Sequence, residues 1–424
     1  MKNNILFHKE KCDKMDNVIA ILITSLFLIY PIMLNLLVFD IYKKITFVIL
    51  ISIVFLLLKY SNSEQIKLNK YLKIIFYLYI LYLLILFISS LKYGHILQYS
   101  IYLIKFLFFI LLFYYLNKNI ISKILQIYAV IMVFIVIFNI INAIGVFFYN
   151  FNDIDNLTSI IQENGYRFKV FFGSYYELSN LNLLGYEVYR FQGLSEEAGT
   201  FALALFPAYF YFLYNLEKIK FFIILIGMCM TMSAAIPIVL IIIAIFTLIT
   251  KEYKIAAIVL FSIVIFFILF YLNDIYILIS QISLESHKLM SYERVISVYN
   301  RLEDIIYYLH YFDKLSIFDK LFGEGSGSPF ISYPHSISIG WLVKFVEAGL
   351  LGGFFYIITF SFIFILVVFN IITNFYSDKV FYILSFSIIA FIIISSLRQP
   401  ADSSFWHMSF YAFYFHYLVK YDNN

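Results

Sequence analysis

Only five of the thirty basic residues are arginine: Arg167, Arg190, Arg294, Arg301 and Arg398. A guanidinium grips a phosphate or carboxylate through two parallel hydrogen bonds, which a lysine ammonium does not. Drift in a lysine-favouring sequence is the plain alternative. Three stretches set arginines or glycines beside other reactive side chains. In the first, Tyr189 to Ala202, Arg190, Glu196 and Glu197 fall within eight residues, with Gly193 and Gly199 permitting close backbone approach. Ser195 and the two acids also fit a helix N-cap and its first turn. In the second, Arg294 and Arg301 are seven residues apart, two helical turns, and so share a face that suits a diphosphate. Glu293, Glu303 and Asp304 offer them ordinary surface ion pairs instead. The third runs Gly323-Glu324-Gly325-Ser326-Gly327-Ser328, then Tyr333-Pro334-His335-Ser336. Its glycine loop has backbone N–H groups that could face an anion. His335 is the side chain best suited to take a proton near neutral pH; a polar cap is the bland reading.

Other chemistries find little footing. Cys12 and Cys229 lie far apart, one in a polar terminus and one in an apolar run, so neither a disulfide nor a metal site is expected. No histidine pair has zinc-ligand spacing and no glycine-rich nucleotide loop occurs. Asp153-Ile154-Asp155 has the form of a metal-binding Asp-x-Asp, but two acids in an Asn-rich loop arise readily by chance. No divalent metal and no cofactor are expected. A formal charge of +4 is too small for a nucleic-acid binder.

The elements that must position these residues are membrane helices. The chain is 63% hydrophobic and 13% charged, far from a soluble globular protein. About 20 apolar residues cross the ~30 Å hydrocarbon layer. The qualifying runs are 17–39, 45–60, 71–91, 97–116, 122–149, 198–215, 255–272, 348–370, 380–397 and 405–420. The start reads as a retained first span rather than a cleavable signal peptide. The run 219–249 is too long for one upright helix and contains Ser233 and Pro237. Lysines set the orientation. Lys2, Lys9, Lys11 and Lys14 place the N-terminus inside, with loops 61–70, 117–123, 216–220 and 251–254. Inside lysines on both sides of 219–249 require an even number of crossings there, hence two short spans and about twelve in all. Lys43 and Lys44, in a short outer loop, run against the pattern.

The expected fold is therefore all-α, one polytopic membrane domain over 1–424. Two long segments lie outside the cytoplasm. One is the outer loop 150–196. The other is the large outer loop 273–335, leading into a helix 336–347. The C-terminus lies inside. No internal repeat is apparent, which weakens a transporter built from related halves.

The three stretches together resemble the O-antigen ligase and polymerase family of bacterial polysaccharide enzymes. That family carries an arginine, then Gly-Leu-Phe, then Glu-Pro-Gly before a span. Here the stretch is Arg190 followed by Gly193-Leu194-Ser195-Glu196-Glu197-Ala198-Gly199, with the family glutamate at Glu197 or Glu196. An arginine some twenty residues before a Gly-x-Gly corresponds to Arg301, with Arg294 the second choice. A His-Asn before a Glu-x-Gly-Leu-x-Gly helix corresponds to His335-Ser336 and to Glu347-Ala348-Gly349-Leu350-Leu351-Gly352. The resemblance covers roughly 185–355 by motif and the rest by hydropathy.

It implies a GT-C-like glycosyltransferase that uses undecaprenyl-diphosphate-linked glycans at the outer face of the bacterial cytoplasmic (inner) membrane. Other membrane proteins of polysaccharide assembly are possible partners. Arg190, Arg301 and Arg294 would bind the departing diphosphate. His335, then Glu197 or Glu196, would serve the acceptor hydroxyl, and Gly193, Gly323, Gly325 and Gly327 would shape the supporting loops. An outward site fits a lipid-linked donor independently, because nucleotide sugars are cytoplasmic. The expected reaction is polymerisation, in which the growing glycan passes to the next lipid-linked repeat unit. A ligase transferring to lipid A–core is the alternative. A flippase is a reading of another class; it would need polar groups along a mid-membrane path, and Lys105 is nearly the only charge inside an expected span.

Overall fold

A computed structural model describes the chain except residues 1–14, 27–38, 61–69, 150–158, 162–166, 172–173, 184–185, 194–197, 232, 234, 282–303, 332–338, 374–377, 398–399, 403 and 422–424. The first helices are α1 (Met15–Leu26), α2 (Phe39–Tyr60), α3 (Lys70–Lys92), α4 (Ile96–Tyr115) and α5 (Lys118–Tyr149). Four strands follow: β1 (Ser159–Ile161), β2 (Arg167–Phe171), β3 (Ser174–Leu183) and β4 (Tyr186–Gly193). Next come α6 (Ala198–Asn215), α7 (Lys218–Thr231), α8 (Ala235–Ile249) and α9 (Tyr253–Gln281). The last are α10 (304–314), α11 (Ile317–Phe322), α12 (Ser328–Ile331), α13 (Gly340–Thr373), α14 (Lys379–Leu397) and α15 (Phe405–Tyr421).

Four helices among the described residues are long and apolar enough to cross a membrane: α3, α4, Lys118–Gly145 within α5, and α13. Shorter apolar helices accompany them, including Ala235–Ile249 and Lys379–Ser395. Their outward faces remain apolar, with Phe55, Tyr77, Leu97, Phe134 and Ile365 all exposed. A helix apolar on its outward as well as its inward face suits lipid, so the chain is read as a membrane-associated helical protein. The run 219–249 is two helices, α7 and α8, parted around Ser233.

One feature departs from the all-α expectation. The segment 150–196, expected to be a loop, contains an antiparallel sheet in the order β1-β2-β3-β4. The pairings Phe171↔Ser174 and Leu183↔Tyr186 close two hairpins across two residues each. Between Glu177↔Arg190 and Leu181↔Val188 the strand β3 carries two extra residues, a bulge. Aromatic and β-branched residues at alternate positions of β4, such as Tyr186 and Val188, favour this pleated surface over a helix.

The chain packs as two compact units. The first comprises 1–62, 116–288 and 375–387. Its centre is α6, where Phe206, Tyr209, Phe210 and Phe212 are fully buried. Tyr128 of α5 donates to the Ala204 carbonyl at 2.7 Å, and Tyr209 lies 3.2 Å from the Ser262 hydroxyl. At Gly193, the end of β4, φ is +60° and a Cβ would fall 2.4 Å from the Phe201 ring of α6, so this strand end favours glycine. The second unit comprises 63–115, 289–374 and 388–424. In it α15 packs on α4 through Phe108–Phe405 and Phe109–Phe415 ring contacts. Helix α13 packs on α3 through Tyr82–Tyr356 and Tyr79–Phe360.

Candidate functional site

Within the second unit, the glycine loop after α11 closes onto a break in α13. Gly349 has φ 64° and ψ −169°, a conformation open essentially to glycine alone, and it interrupts the helix. Carbonyls upstream of such a break lose their helical partners. The loop supplies new ones: Glu324 N–H donates to Val346 O at 3.0 Å and Gly325 N–H to Glu347 O at 2.9 Å. Gly323, itself at φ 80°, faces Gly349 so closely that a Cβ on either would lie 2.4–2.5 Å from the other's backbone nitrogen. The two glycine motifs are the two halves of one backbone joint.

Behind the joint lies a buried set of charges. Glu347 is 1% exposed and Lys344, one turn earlier, is fully enclosed. The Lys344 ammonium donates to Glu347 Oε2 at 3.0 Å and to the Tyr102 hydroxyl at 2.9 Å. Tyr102 donates onward to the Glu347 carboxylate at 3.2 Å. Glu347 Oε1 accepts from Gly327 N–H at 2.8 Å, so the carboxylate fastens the glycine loop from below. Asp402, also fully enclosed, lies 3.3 Å from Lys344 through Oδ1 and accepts from Tyr79 through Oδ2 at 3.0 Å. The Asp402 Oδ1 contact is an ion pair without hydrogen-bond alignment. The Lys344 ammonium also sits among three tyrosine rings, Tyr82, Tyr102 and Tyr356, at 4.1–5.8 Å from their centroids. Lys105 of α4 is buried within electrostatic reach of Asp402, Lys344 and Glu347. Among the described residues, two lysines and two carboxylates thus meet in this interior set.

The loop is anchored a second time at the end of α3. Asp319 of α11 receives Lys92 Nζ and the Tyr93 hydroxyl, each at 2.6 Å, and the Ser316 hydroxyl at 2.6 Å. Burial pushes the Asp319 carboxyl up, but these donors and the Lys92 charge outweigh it and hold the group below its ordinary value. Glu324 goes the other way. Its burial raises it above the usual range, although Tyr311 donates to it at 2.6 Å.

The expected site residues fare unequally. Gly323, Gly325 and Gly327 lie in the joint. Their amides face protein acceptors: Asp319 O, Glu347 O and Glu347 Oε1. The anion that this loop meets is the protein's own carboxylate, which corrects the expectation of an open anion cradle. Arg190 lies on β4 opposite Glu177, and Arg167 on β2 opposite Ile161. Glu196, Glu197, Arg294, Arg301, His335 and Arg398 lie outside the described residues, as do Asp153 and Asp155. Among the described residues no group of three or more His, Cys, Asp or Glu side chains could hold a metal ion.

Sequence reasoning missed Lys344, Tyr102 and Asp402. Lys344 and Glu347 stand at i,i+3 in an apolar run, which was the available signal. The premise that Lys105 is nearly the only charge inside a span also needs correction, since Lys344 and Glu347 belong to the same long helix, α13.

No family model, no curated protein and no solved structure matches the chain.

Proposed function

We propose that this chain is a membrane glycosyltransferase that polymerises lipid-linked glycans. It would transfer the glycan from undecaprenyl diphosphate to a hydroxyl of the next lipid-linked repeat unit. The site would face outward from a bacterial cytoplasmic membrane crossed about twelve times, in a GT-C-like arrangement with both termini cytoplasmic. One observation carries the reading. Two of the stretches that resemble the polymerase and ligase family, Gly323-Glu324-Gly325 and Glu347-Ala348-Gly349, meet in one joint secured by Glu347. Motifs that match by chance have no reason to fold against each other.

In this reading the acceptor oxygen bonds to the anomeric carbon while the bond from that carbon to the diphosphate oxygen breaks. The hydroxyl proton passes to His335, with Glu197 or Glu196 as the second choice. Arg190, with Arg301 and Arg294, receives the negative charge that develops on the diphosphate. No metal or cofactor enters. A second reading keeps one observation in its favour. Ionisable groups inside a membrane bundle mark ion or substrate paths by default, and Lys105, Lys344, Glu347 and Asp402 form such a group. That is what a carrier of lipid-linked sugars would contain.

Glycan length profiles of cells carrying His335→Ala or Arg190→Lys test the assignment. Loss of a general base and of a charge-stabilising donor each lower turnover by about 100-fold, so both variants should leave only short glycans at normal protein levels. Long glycans undiminished in both would rule the assignment out. Long glycans that require lipid A–core as acceptor would identify a ligase.

A further inference from the structure

The glycine loop spends its backbone completely. From Gly323 to Ser328, six consecutive N–H groups are all bonded: to Asp319 O, Val346 O, Glu347 O, Ser90 Oγ, Glu347 Oε1 and Gly325 O. Three side-chain atoms on or beside this loop are not. Glu324 Oε2, Ser328 Oγ and Nδ1 of His95 are buried without a hydrogen-bond partner. Glu324 is nine-tenths buried and Ser328 fully so. His95 belongs to the turn between α3 and α4. Its backbone is held there by His95 N–H to Ser90 O at 2.8 Å and by the Ser326 hydroxyl donating to His95 O at 3.3 Å. A Cβ on Gly325 would lie 3.1 Å from His95 Nδ1, so the imidazole rests on the bare face of that glycine. Buried polar groups are bonded in nearly all native proteins, and three exceptions around one loop call for a ligand that supplies the missing partners.

We propose that His95, Glu324 and Ser328 form a hydroxyl-binding subsite that takes a sugar of the glycan substrate. The donor and acceptor types fit. Glu324 Oε2 accepts only, Ser328 Oγ does both, and His95 Nδ1 donates or accepts by tautomer. A pair of neighbouring sugar hydroxyls offers the complementary set. The entrance is the turn itself, where Lys92, Tyr93 and Gly94 are exposed and His95 is only half buried. The sugar class rests on the glycosyltransferase reading; the presence of a hydroxyl-binding site does not.

The test is saturation-transfer NMR on the full-length protein in detergent, with free hexoses and N-acetylhexosamines as probes. Two variants keep the fold. Ser328→Ala removes a buried hydroxyl that has no partner, which costs the structure nothing. His95→Phe keeps a ring against Gly325 and loses the nitrogen. The wild type should transfer saturation to at least one of these sugars, and the double variant should transfer at least tenfold less. Equal transfer by both proteins, or none by the wild type, overturns the subsite; the second result would mean that water alone fills it. Sugar binding by a protein that extends no glycan would overturn the enzymatic reading and leave the subsite standing.

Discussion

Replacing Gly349 by alanine should abolish accumulation of the folded protein. Two costs coincide there. The backbone at φ 64° and ψ −169° is open essentially to glycine alone, and forcing another residue into it costs about 1–3 kcal/mol. The new Cβ would also lie 2.5 Å from the Gly323 nitrogen and from the Leu321 carbonyl, rigid backbone on both counts. Relieving that overlap pulls the loop away and breaks the bonds from Glu324 N–H and Gly325 N–H, worth about 0.5–1.5 kcal/mol each. The sum is on the order of 5 kcal/mol, comparable with the whole stability margin of a typical domain. Gly323→Ala should behave alike, since its Cβ would fall 2.4 Å from the Gly349 nitrogen. Because both act on one joint, the double variant should cost less than the sum of the singles. Gly94→Ala is the control. It has φ 73° but nothing within 4 Å of the added carbon, so it bears the conformational cost alone. Size-exclusion profiles and thermal unfolding in detergent read all four proteins. A Gly349→Ala protein as stable as Gly94→Ala would mean that the joint is absent.

The second large effect is electrostatic. Lys344→Met should destabilise the second unit by about 3–5 kcal/mol, because removing one partner of a buried pair leaves the other charge uncompensated. Here it would leave two carboxylates, Glu347 and Asp402, with Lys105 as the remaining lysine among the described groups of this set. The informative variant is the double one, Lys344→Met with Glu347→Gln. It restores neutrality, leaving Lys105 with Asp402, and a glutamine carbonyl still accepts from Gly327 N–H. Replacing both members of a buried pair by neutral groups is often close to neutral in stability, so the double variant should recover most of the loss. If the double variant is as unstable as Lys344→Met, the charges are not what holds this region. If stability returns but glycan extension does not, the ionic set serves function rather than folding.

How much of this was legible in the sequence depends on the range of the interaction. Apolar runs are local matters of length, and the break of 219–249 into two helices follows from its length, Ser233 and Pro237 together with the lysines on both sides, so both are legible in the sequence. The sheet leaves little mark in the sequence. Phe172-Gly173 and Leu184-Gly185, between its strands, are not the Asn-Gly or Asp-Gly pairs that announce a hairpin. Glycines 323, 325 and 349 were recognised as motif residues, but not their mutual contact, because the pairing joins distant stretches and no spacing rule reports it. The same holds for Asp402, whose partners Tyr79 and Lys344 come from two other helices. His95 stands alone in a Tyr-Gly-His-Ile turn and gives no sign of meeting Gly325.

A glycosyltransferase makes glycosidic bonds, whereas a carrier only moves lipid-linked sugars. Reconstitution of the purified full-length protein in liposomes loaded with lipid-linked repeat units separates the two most directly, with the products resolved by size. The proposed polymerase should give a ladder of lengthened glycans still attached to the carrier lipid. Unextended single units that pass to the opposite leaflet only when the protein is present would contradict the proposal.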